Sequence, residues 1–517
     1  MLTWLEALVA AKGSDLHLKV GSPPRMRVDG RLGQRLVRRA GDGGRVAVLE
    51  IMVNTGRTAE AIADPEHTGD LTLIMAESGS PRRAGTAYLG GASWTATATS
   101  GPDGHRIPPV PRGLTGGARG NMGRVRNSRI CGICMTLTVL INAGPWLPVP
   151  PPDYGGIENV LATLIPELRA RGVEVVLCTV EESTVAVDDR RCAFGEGQFG
   201  RLAGPYAQVM GITHAHMATV LETLRSRRDI DLVHDHLEVV GPSVLGAIDG
   251  DAPPVLQTLH WDLRKHPEFY GAFDGKGRVF FNAVSNAQLD TAPDNLRNQS
   301  LGAVHLGVDL AAHPFRADKG QDYLVLGRVT PFKGQAVAAR ICKELGVPLV
   351  MAGPVAGVAS PRELAAALAD PASPLHGYAD VRYYLDAVRP FEDGERIRWV
   401  GTVAGAEKDA LVGRARAVLM PISWDEPGAT AAVEALACGT PVIALRRGAL
   451  PELIEHGVTG FLADDEAELA DLLPRAGELD PAACRRAAEE RFSAAAMAEA
   501  YLRLYDEVLA RAGRRRG

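Results

Sequence analysis

From residue 136 onward, short apolar runs alternate with longer segments in which apolar residues recur every three or four positions. A short run bounded by turn residues fits a buried strand, and the longer period fits an amphipathic helix. The pattern predicts strand 136–142, helix 156–171, strand 173–179, a helix over about 211–226, strand 231–234, helix 241–247, strand 254–259 and a strand near 279–284. Val160, Leu161, Leu164, Ile165 and Leu168 mark one face of the first helix. A second series opens at Tyr323-Leu324-Val325-Leu326. It continues with helix 334–345, strand 348–351, a helical stretch around 378–388, strand 397–400, helix 407–415, strand 417–420, helix 430–437, strand 442–445 and helices over 481–511. Strands alternating with helices imply parallel sheets joined by right-handed crossovers. Two such series predict an α/β protein of two Rossmann-like domains, 135–315 and 316–490, facing a central cleft and followed by terminal helices and a basic tail over 491–517.

The first 134 residues lack this alternation. A short helix over 2–12, a strand at Asp15–Val20, a Gly-Ser-Pro-Pro turn and a strand at Met26–Val28 suggest a small α+β-like fragment within 1–84. Residues 85–134 hold 11 glycines among 50 residues with little periodicity, which reads as a linker or poorly ordered segment. Such composition also fits a misjoined gene start, with the functional protein beginning near Met135. The net charge of −6 divides unevenly: 18 Lys/Arg against 11 Asp/Glu in residues 1–134 leave −13 for the remainder. The basic residues show neither helical spacing nor aromatic interleaving, so the reading is no nucleic-acid partner.

A chain of 517 residues with 46% hydrophobic and 23% charged residues is expected to fold as globular domains. No apolar stretch of about 18 residues occurs to suggest a membrane helix. The N-terminus lacks the basic start and apolar core of a signal peptide. Seven scattered cysteines fit a reducing compartment, and the reading is cytoplasmic, with peripheral membrane association left open. Cys131 and Cys134 have CxxC spacing without a second such pair, so no metal site is expected.

Several polar residues sit where an α/β cleft would hold chemistry. Gly155 and Gly156 lie between the first strand and first helix, and two glycines there let a ligand reach backbone N–H groups at the helix start; a tight turn after the Pro150-Pro151-Pro152 run is the competing reading. Arg328 and Lys333 occupy the equivalent junction of the second series and suit a diphosphate. Glu426 and Glu434 flank a later loop-to-helix junction, and carboxylates so placed can accept hydrogen bonds from the hydroxyls of a polyol or nucleoside. His234 and His236 alternate along one strand and are not automatically a metal pair. His260 ends the strand Val255–Leu259.

In their joint order these fragments resemble retaining glycosyltransferases of the family 4 type, with the GT-B fold, over residues 135–508. The resemblance is carried by Tyr154-Gly155-Gly156, Asp231–His236, Thr258-Leu259-His260, Ala283-Val284-Ser285, His305–Asp309, Gly327-Arg328 through Lys333-Gly334, and Glu426 to Glu434 with Cys438-Gly439-Thr440-Pro441. It implies transfer of a hexose from a nucleoside diphosphate sugar to an unknown acceptor, with UDP-glucose favoured, GDP-mannose the alternative donor and no cofactor required. The resemblance further implies that Glu434 holds the ribose hydroxyls and Glu426 the donor sugar. Arg328 and Lys333 would take the diphosphate, Gly155 and Gly156 would abut donor or acceptor, and His260 would touch the sugar near the reacting carbon. Gly428, Ala429 and Thr430 stand where family members commonly have Phe-Gly-Leu; the spacing between the glutamates is kept but the loop beside the donor is altered. A catalytically weak sugar-nucleotide-binding protein and a GT-B epimerase are the alternatives. Residues 1–32 separately resemble the start of type IV pilus retraction and secretion ATPases, but no GxxxxGK[ST] follows to cradle nucleotide phosphates.

Overall fold

The structure, a computed structural model, describes residues 136–513 except 153, 154, 203 and 249, together with six strands before residue 136. Two units are resolved, Met1–Asn127 and Ser128–Gly517. In the first, β1 (Gly13–His17), β2 (Arg25–Val28) and β3 (Arg31–Gln34) form one antiparallel sheet. A second antiparallel sheet comprises β4 (Val48–Val53), β5 (Asp70–Ala76) and β6 (Arg83–Tyr88). The strand expected at Asp15–Val20 is described at Gly13–His17, residues 18–20 lying outside the described residues. The expected helix over 2–12, most of 85–134 and Cys131 and Cys134 lie outside the described residues.

The second unit holds two parallel sheets. The first contains β7 (Thr138–Asn142), β8 (Glu174–Thr179), β9 (Asp189–Cys192), β10 (Leu232–Asp235), β11 (Val255–Leu259), β12 (Val279–Ala283) and β13 (Ser300–Ala303), in the order β13-β12-β11-β10-β7-β8-β9. The second contains β14 (Tyr323–Leu326), β15 (Leu349–Ala352), β16 (Ile397–Gly401), β17 (Ala417–Met420), β18 (Val442–Leu445) and β19 (Gly460–Ala463), in the order β16-β15-β14-β17-β18-β19. Strands covered on both faces read as unbroken apolar runs. Accordingly, Val139 and Ile141 of β7 enter one core while Leu140 enters the core on the opposite face. Leu419 and Val418 of β17 divide in the same way.

Strand order reverses between β7 and β10 in the first sheet and between β14 and β17 in the second. At such a reversal the flanking crossovers run to opposite faces and leave a crevice at the strand carboxyl ends. The helices that matter for this crevice are α1 (Gly156–Ala170), α2 (Tyr206–Ser226), α3 (Gln335–Leu345), α4 (Gly405–Arg414), α5 (Thr430–Ala437), α6 (Pro481–Arg491) and α7 (Ala494–Arg511).

The chain passes between the two domains twice, and the passages run side by side. Val308 N donates to Phe492 O at 2.9 Å, and Ala494 N donates to Val308 O at 2.9 Å. A Cβ on Gly307 would stand 2.8 Å from Ser493 O and 2.9 Å from Met497 Cβ, so this crossing leaves no room for a side chain. Helix α7 then returns to the first domain, where Met497, Tyr501, Tyr505 and Val508 join the core beneath α1. The architecture is GT-B: two Rossmann-like domains preceded by an N-terminal extension.

Candidate functional site

In the second domain the strand-to-helix junction after β14 is shaped by backbone constraints. Gly334 adopts φ +75°, and a Cβ there would lie 2.0 Å from Pro421 O. Only glycine combines that left-handed conformation with so close an approach. The turn brings Lys333 against the loop after β17, where its ammonium pairs with the Glu426 carboxylate. Trp424 Nε1 donates to the same Glu426 oxygen at 3.1 Å, and the Lys333 ammonium stands 5.8 Å from the Trp424 ring centroid. Gly448, at φ +49°, backs the loop: a Cβ there would meet Glu426 N at 2.3 Å. Phe332, 60% exposed, completes the rim with its ring 6.5 Å from Trp424.

Glu434 lies on α5 and accepts from Lys408 Nζ of α4 at 2.9 Å. Both expected carboxylates therefore carry a lysine partner. The Arg328 side chain is exposed, with no ion-pair partner among the described residues, while its carbonyl accepts from Gln335 Nε2 at 2.8 Å. Helix α5 begins after Ala429, a non-glycine residue at φ +45°, and no side chain among the described residues caps its N-terminus. Free N–H groups at that end, with Arg328 and Lys333 on the same sheet crevice, suit a doubly anionic ligand. The carboxylates beside them are acceptors for hydroxyls. Gly428 packs so closely on the first domain that a Cβ would stand 2.8 Å from Leu306 Cδ1. Thr430 opens α5 itself.

In the first domain a buried polar network underlies the crevice. Asn142, at the end of β7, donates to Asp235 Oδ1 at 2.7 Å and shares a 2.6 Å bond with His216 Nε2 of α2. Burial pushes the Asp235 carboxyl up to about 7 and the His216 imidazole down to about 4. His234 bonds Thr258 Oγ1 at 2.8 Å and the Tyr505 hydroxyl at 2.7 Å. His236 Nδ1 lies 2.8 Å from His260 Nε2, so the histidine ending β11 is tied to the motif ending β10. Desolvation lowers His260 to about 3, although the residue as a whole is only half-buried.

The two glycines before α1 differ in their surroundings. Gly155 is buried, and a Cβ would meet Pro151 Cγ at 2.7 Å, whereas Gly156 is exposed with open space around its Cα. Two residues on, Glu158 is buried and its carboxyl is pushed up to about 7 by desolvation. Asp153 and Tyr154 lie outside the described residues.

The two halves of the crevice meet through Arg264, four residues beyond His260, whose Nη1 donates to Asp425 Oδ2 at 3.2 Å. The structure thus joins Lys333 to Glu426 directly and brings the His260 loop to the Glu426 loop. It does not pair Glu434 with either cation named from sequence. Lys408, Asn142 and His216 were absent from the sequence reading. Lys408 could have been suspected only as a cation on the helix preceding β17. Among the described residues no group of three or more His, Cys, Asp or Glu is placed to hold a metal, and no helix is long and apolar enough to cross a membrane.

A family model described as "Glycosyltransferase Family 4" matches residues 154–293, and one described as "Glycosyl transferases group 1" matches residues 312–491. These matches begin at residue 154 and lend no support to the pilus-ATPase likeness of residues 1–32. The D-inositol 3-phosphate glycosyltransferase of Mycolicibacterium smegmatis is 29% identical over 403 residues, covering 69% of this chain and 87% of that protein. That of Streptomyces scabiei is 27% identical over 421 residues, covering 68% and 86%. Among solved structures, AviGT4, a glycosyltransferase involved in avilamycin A biosynthesis, aligns with a TM-score of 0.50 at 24% identity, covering 72% of this chain and 98% of that one. Sucrose-phosphate synthase from Thermosynechococcus elongatus aligns with a TM-score of 0.52 at 19% identity, covering 72% and 99%. The structural likenesses speak to the fold.

Proposed function

We propose, for a chain that is a GT-B glycosyltransferase related to family 4 and moves a sugar from a nucleoside diphosphate sugar to an acceptor, that the sugar is a hexose transferred with retention of configuration. UDP-glucose is the favoured donor and GDP-mannose the alternative. The observation that carries this reading is the Lys333–Glu426 pair at the crevice of the second sheet, beside an α5 N-terminus that no side chain among the described residues caps.

In this reading Arg328 and Lys333 take the diphosphate together with the first-turn N–H groups of α5. Positive charge and oriented dipoles there stabilise the departing diphosphate without reorganising during the reaction. Glu426 accepts from donor-sugar hydroxyls and Glu434 from the ribose, while the backbone of Gly428, Ala429 and Thr430 runs alongside. Gly155 and Gly156 abut donor or acceptor, and His260 meets the sugar near the reacting carbon. Attack on the same face from which the diphosphate leaves allows a diphosphate oxygen to accept the incoming proton, so no protein nucleophile is assigned.

Lys333 pairs with Glu426. A diphosphate would therefore draw the ammonium from one anion toward another, and Trp424 Nε1 would keep the carboxylate in place. The relatives' shared name makes D-inositol 3-phosphate the first acceptor to test. Incubation with UDP-glucose or GDP-mannose and that acceptor, followed by mass detection, tests the reading. Sugar attached to acceptor supports transfer; free epimerised sugar would instead support an epimerase.

A further inference from the structure

The hydrogen bonds around His234 determine which of its nitrogens carries the proton. Asn282 Nδ2 donates to Ala283 O at 3.1 Å, which orients the amide so that its Oδ1 accepts from the Thr258 hydroxyl at 2.7 Å. Thr258 has one hydrogen, now committed. Its oxygen must therefore accept from His234 Nε2 at 2.8 Å, which leaves His234 Nδ1 to accept from the Tyr505 hydroxyl at 2.7 Å. His234 is a neutral Nε2–H imidazole, locked between β11, β12 and α7.

His236 and His260 form the next pair, and one proton lies between His236 Nδ1 and His260 Nε2. If it belonged to His260, neutral His236 would carry its own proton on Nε2. That nitrogen is buried and, among the described residues, has no hydrogen-bond partner. An orphaned buried N–H donor is among the rarest defects in folded proteins. If the proton belongs to His236 Nδ1, the buried Nε2 is bare, His260 Nε2 accepts, and His260 must carry its hydrogen on Nδ1. A doubly protonated ring is disfavoured because burial holds both imidazoles far below their usual range, and among the described residues no carboxylate bonds either ring.

We infer that His236 is a positioning residue that fixes His260 as the Nδ1–H tautomer and so presents a neutral hydrogen-bond donor, rather than a base, to the crevice. The inference rests on the proposed placement of His260 beside the donor sugar. Its chemical consequence is that His260 donates to an oxygen, either a sugar hydroxyl or an oxygen gaining charge as the diphosphate departs, and takes no proton from the acceptor. A side chain acting through another in this way is expected to matter by roughly tenfold or more in activity.

The test uses the full chain labelled with 15N-histidine. Long-range 1H–15N correlation at neutral pH, with His260→Gln and His236→Leu spectra for assignment, reads each tautomer directly. The expected result is Nε2–H for His234 and Nδ1–H for both His236 and His260. Protonation of His260 on Nε2 would overturn the inference. So would a His260 tautomer unaltered in His236→Leu. His236→Asn, which keeps an N–H near the Nδ1 position, should retain the His260 tautomer and most of kcat, whereas His236→Leu should lower kcat about tenfold with little change in donor KM. Because the tautomer is read without substrate, Nδ1–H at His260 in a chain that transfers no sugar would uphold this inference while removing the functional reading.

Discussion

Glu452 of the second domain accepts a 2.9 Å hydrogen bond from Nε2 of His305, in the segment that leads out of the first domain. The same carboxylate accepts from Asn286 N at 3.0 Å, Asn286 Nδ2 at 2.9 Å and Ala287 N at 2.7 Å, all in the first domain. One side chain thus clasps the two domains near their crossing. Hydrogen bonds to a charged group contribute about 1.5–3 kcal/mol each in favourable cases, but loss of one acceptor is not their sum. Glu452→Ala should lower unfolding free energy by about 2 kcal/mol in urea titrations.

That clasp also has a pH signature. Despite the cost of desolvation, bonds from His305, Ala287 and Asn286 hold the Glu452 carboxyl down at about 2 against an ordinary 4.5. A depressed carboxyl contributes stability that is complete above its unfolded value and is lost as pH falls toward the folded one. Urea midpoints should therefore decline between pH 4.5 and 2 in the wild type, and less steeply in Glu452→Gln.

Asp235 gives the opposite sign. Its carboxyl is raised from 3.8 to about 7 by burial, so the folded state holds a proton that the unfolded state releases. Stability attributable to it falls as pH rises from about 4 to 7 and is flat beyond. Glu158, also raised to about 7, acts in the same direction. The double variant Asp235→Asn, Glu158→Gln should flatten the pH dependence of the urea midpoint in that window; an unchanged slope would contradict the assignment.

The loop between the glutamates is tunable. Ala429 occupies the left-handed region, where a Cβ costs roughly 1–2 kcal/mol. Glycine relieves that strain but loses more chain entropy and leaves a small void, so Ala429→Gly should stabilise by about 0.5 kcal/mol. Gly428→Ala should instead destabilise by about 1 kcal/mol or less, because its Cβ would meet the movable end of the Leu306 side chain at 2.8 Å. Paired melting curves check both signs.

The architecture was readable where both faces of a strand are covered, as with Val139 to Ile141 or Val442 to Leu445, because burial on two sides demands an unbroken apolar run. It was unreadable at three of the four edges of the parallel sheets, β16 being the exception. Strand β9, Asp-Arg-Arg-Cys, carries charge because one side is solvated, and β13 and β19 are short runs with glycine. The helix Pro361–Leu368 was missed because only Leu364 is buried along it. Local patterns also carry no information on partners far apart in sequence. Lys408 meets Glu434 across 26 residues and Glu452 meets Asn286 across 166, and neither spacing leaves a motif. Lys333 and Glu426 were each legible from their junctions, but their pairing came only from the turn at Gly334. Helix α7 had a clear apolar period, yet its return to the first domain follows from the side-by-side crossings at Val308 and Phe492.

Lys408 offers a separate check on Glu434. A partly exposed lysine–carboxylate pair contributes about 0–1 kcal/mol to stability, so Lys408→Ala should leave the melting temperature nearly unchanged. If the pair holds Glu434 in place for the ribose, donor affinity in calorimetry should fall by roughly threefold to tenfold.

The most direct measurement is nucleoside diphosphate release from UDP-glucose and GDP-mannose with acceptor, comparing wild type with Lys333→Ala and Glu426→Ala. Removing a preorganised group from a site that stabilises developing charge costs on the order of 100- to 1,000-fold in rate. The account predicts acceptor-dependent release by the wild type and losses of at least about 100-fold in both variants, each still binding nucleotide. A wild-type rate no higher than that of either variant would contradict it.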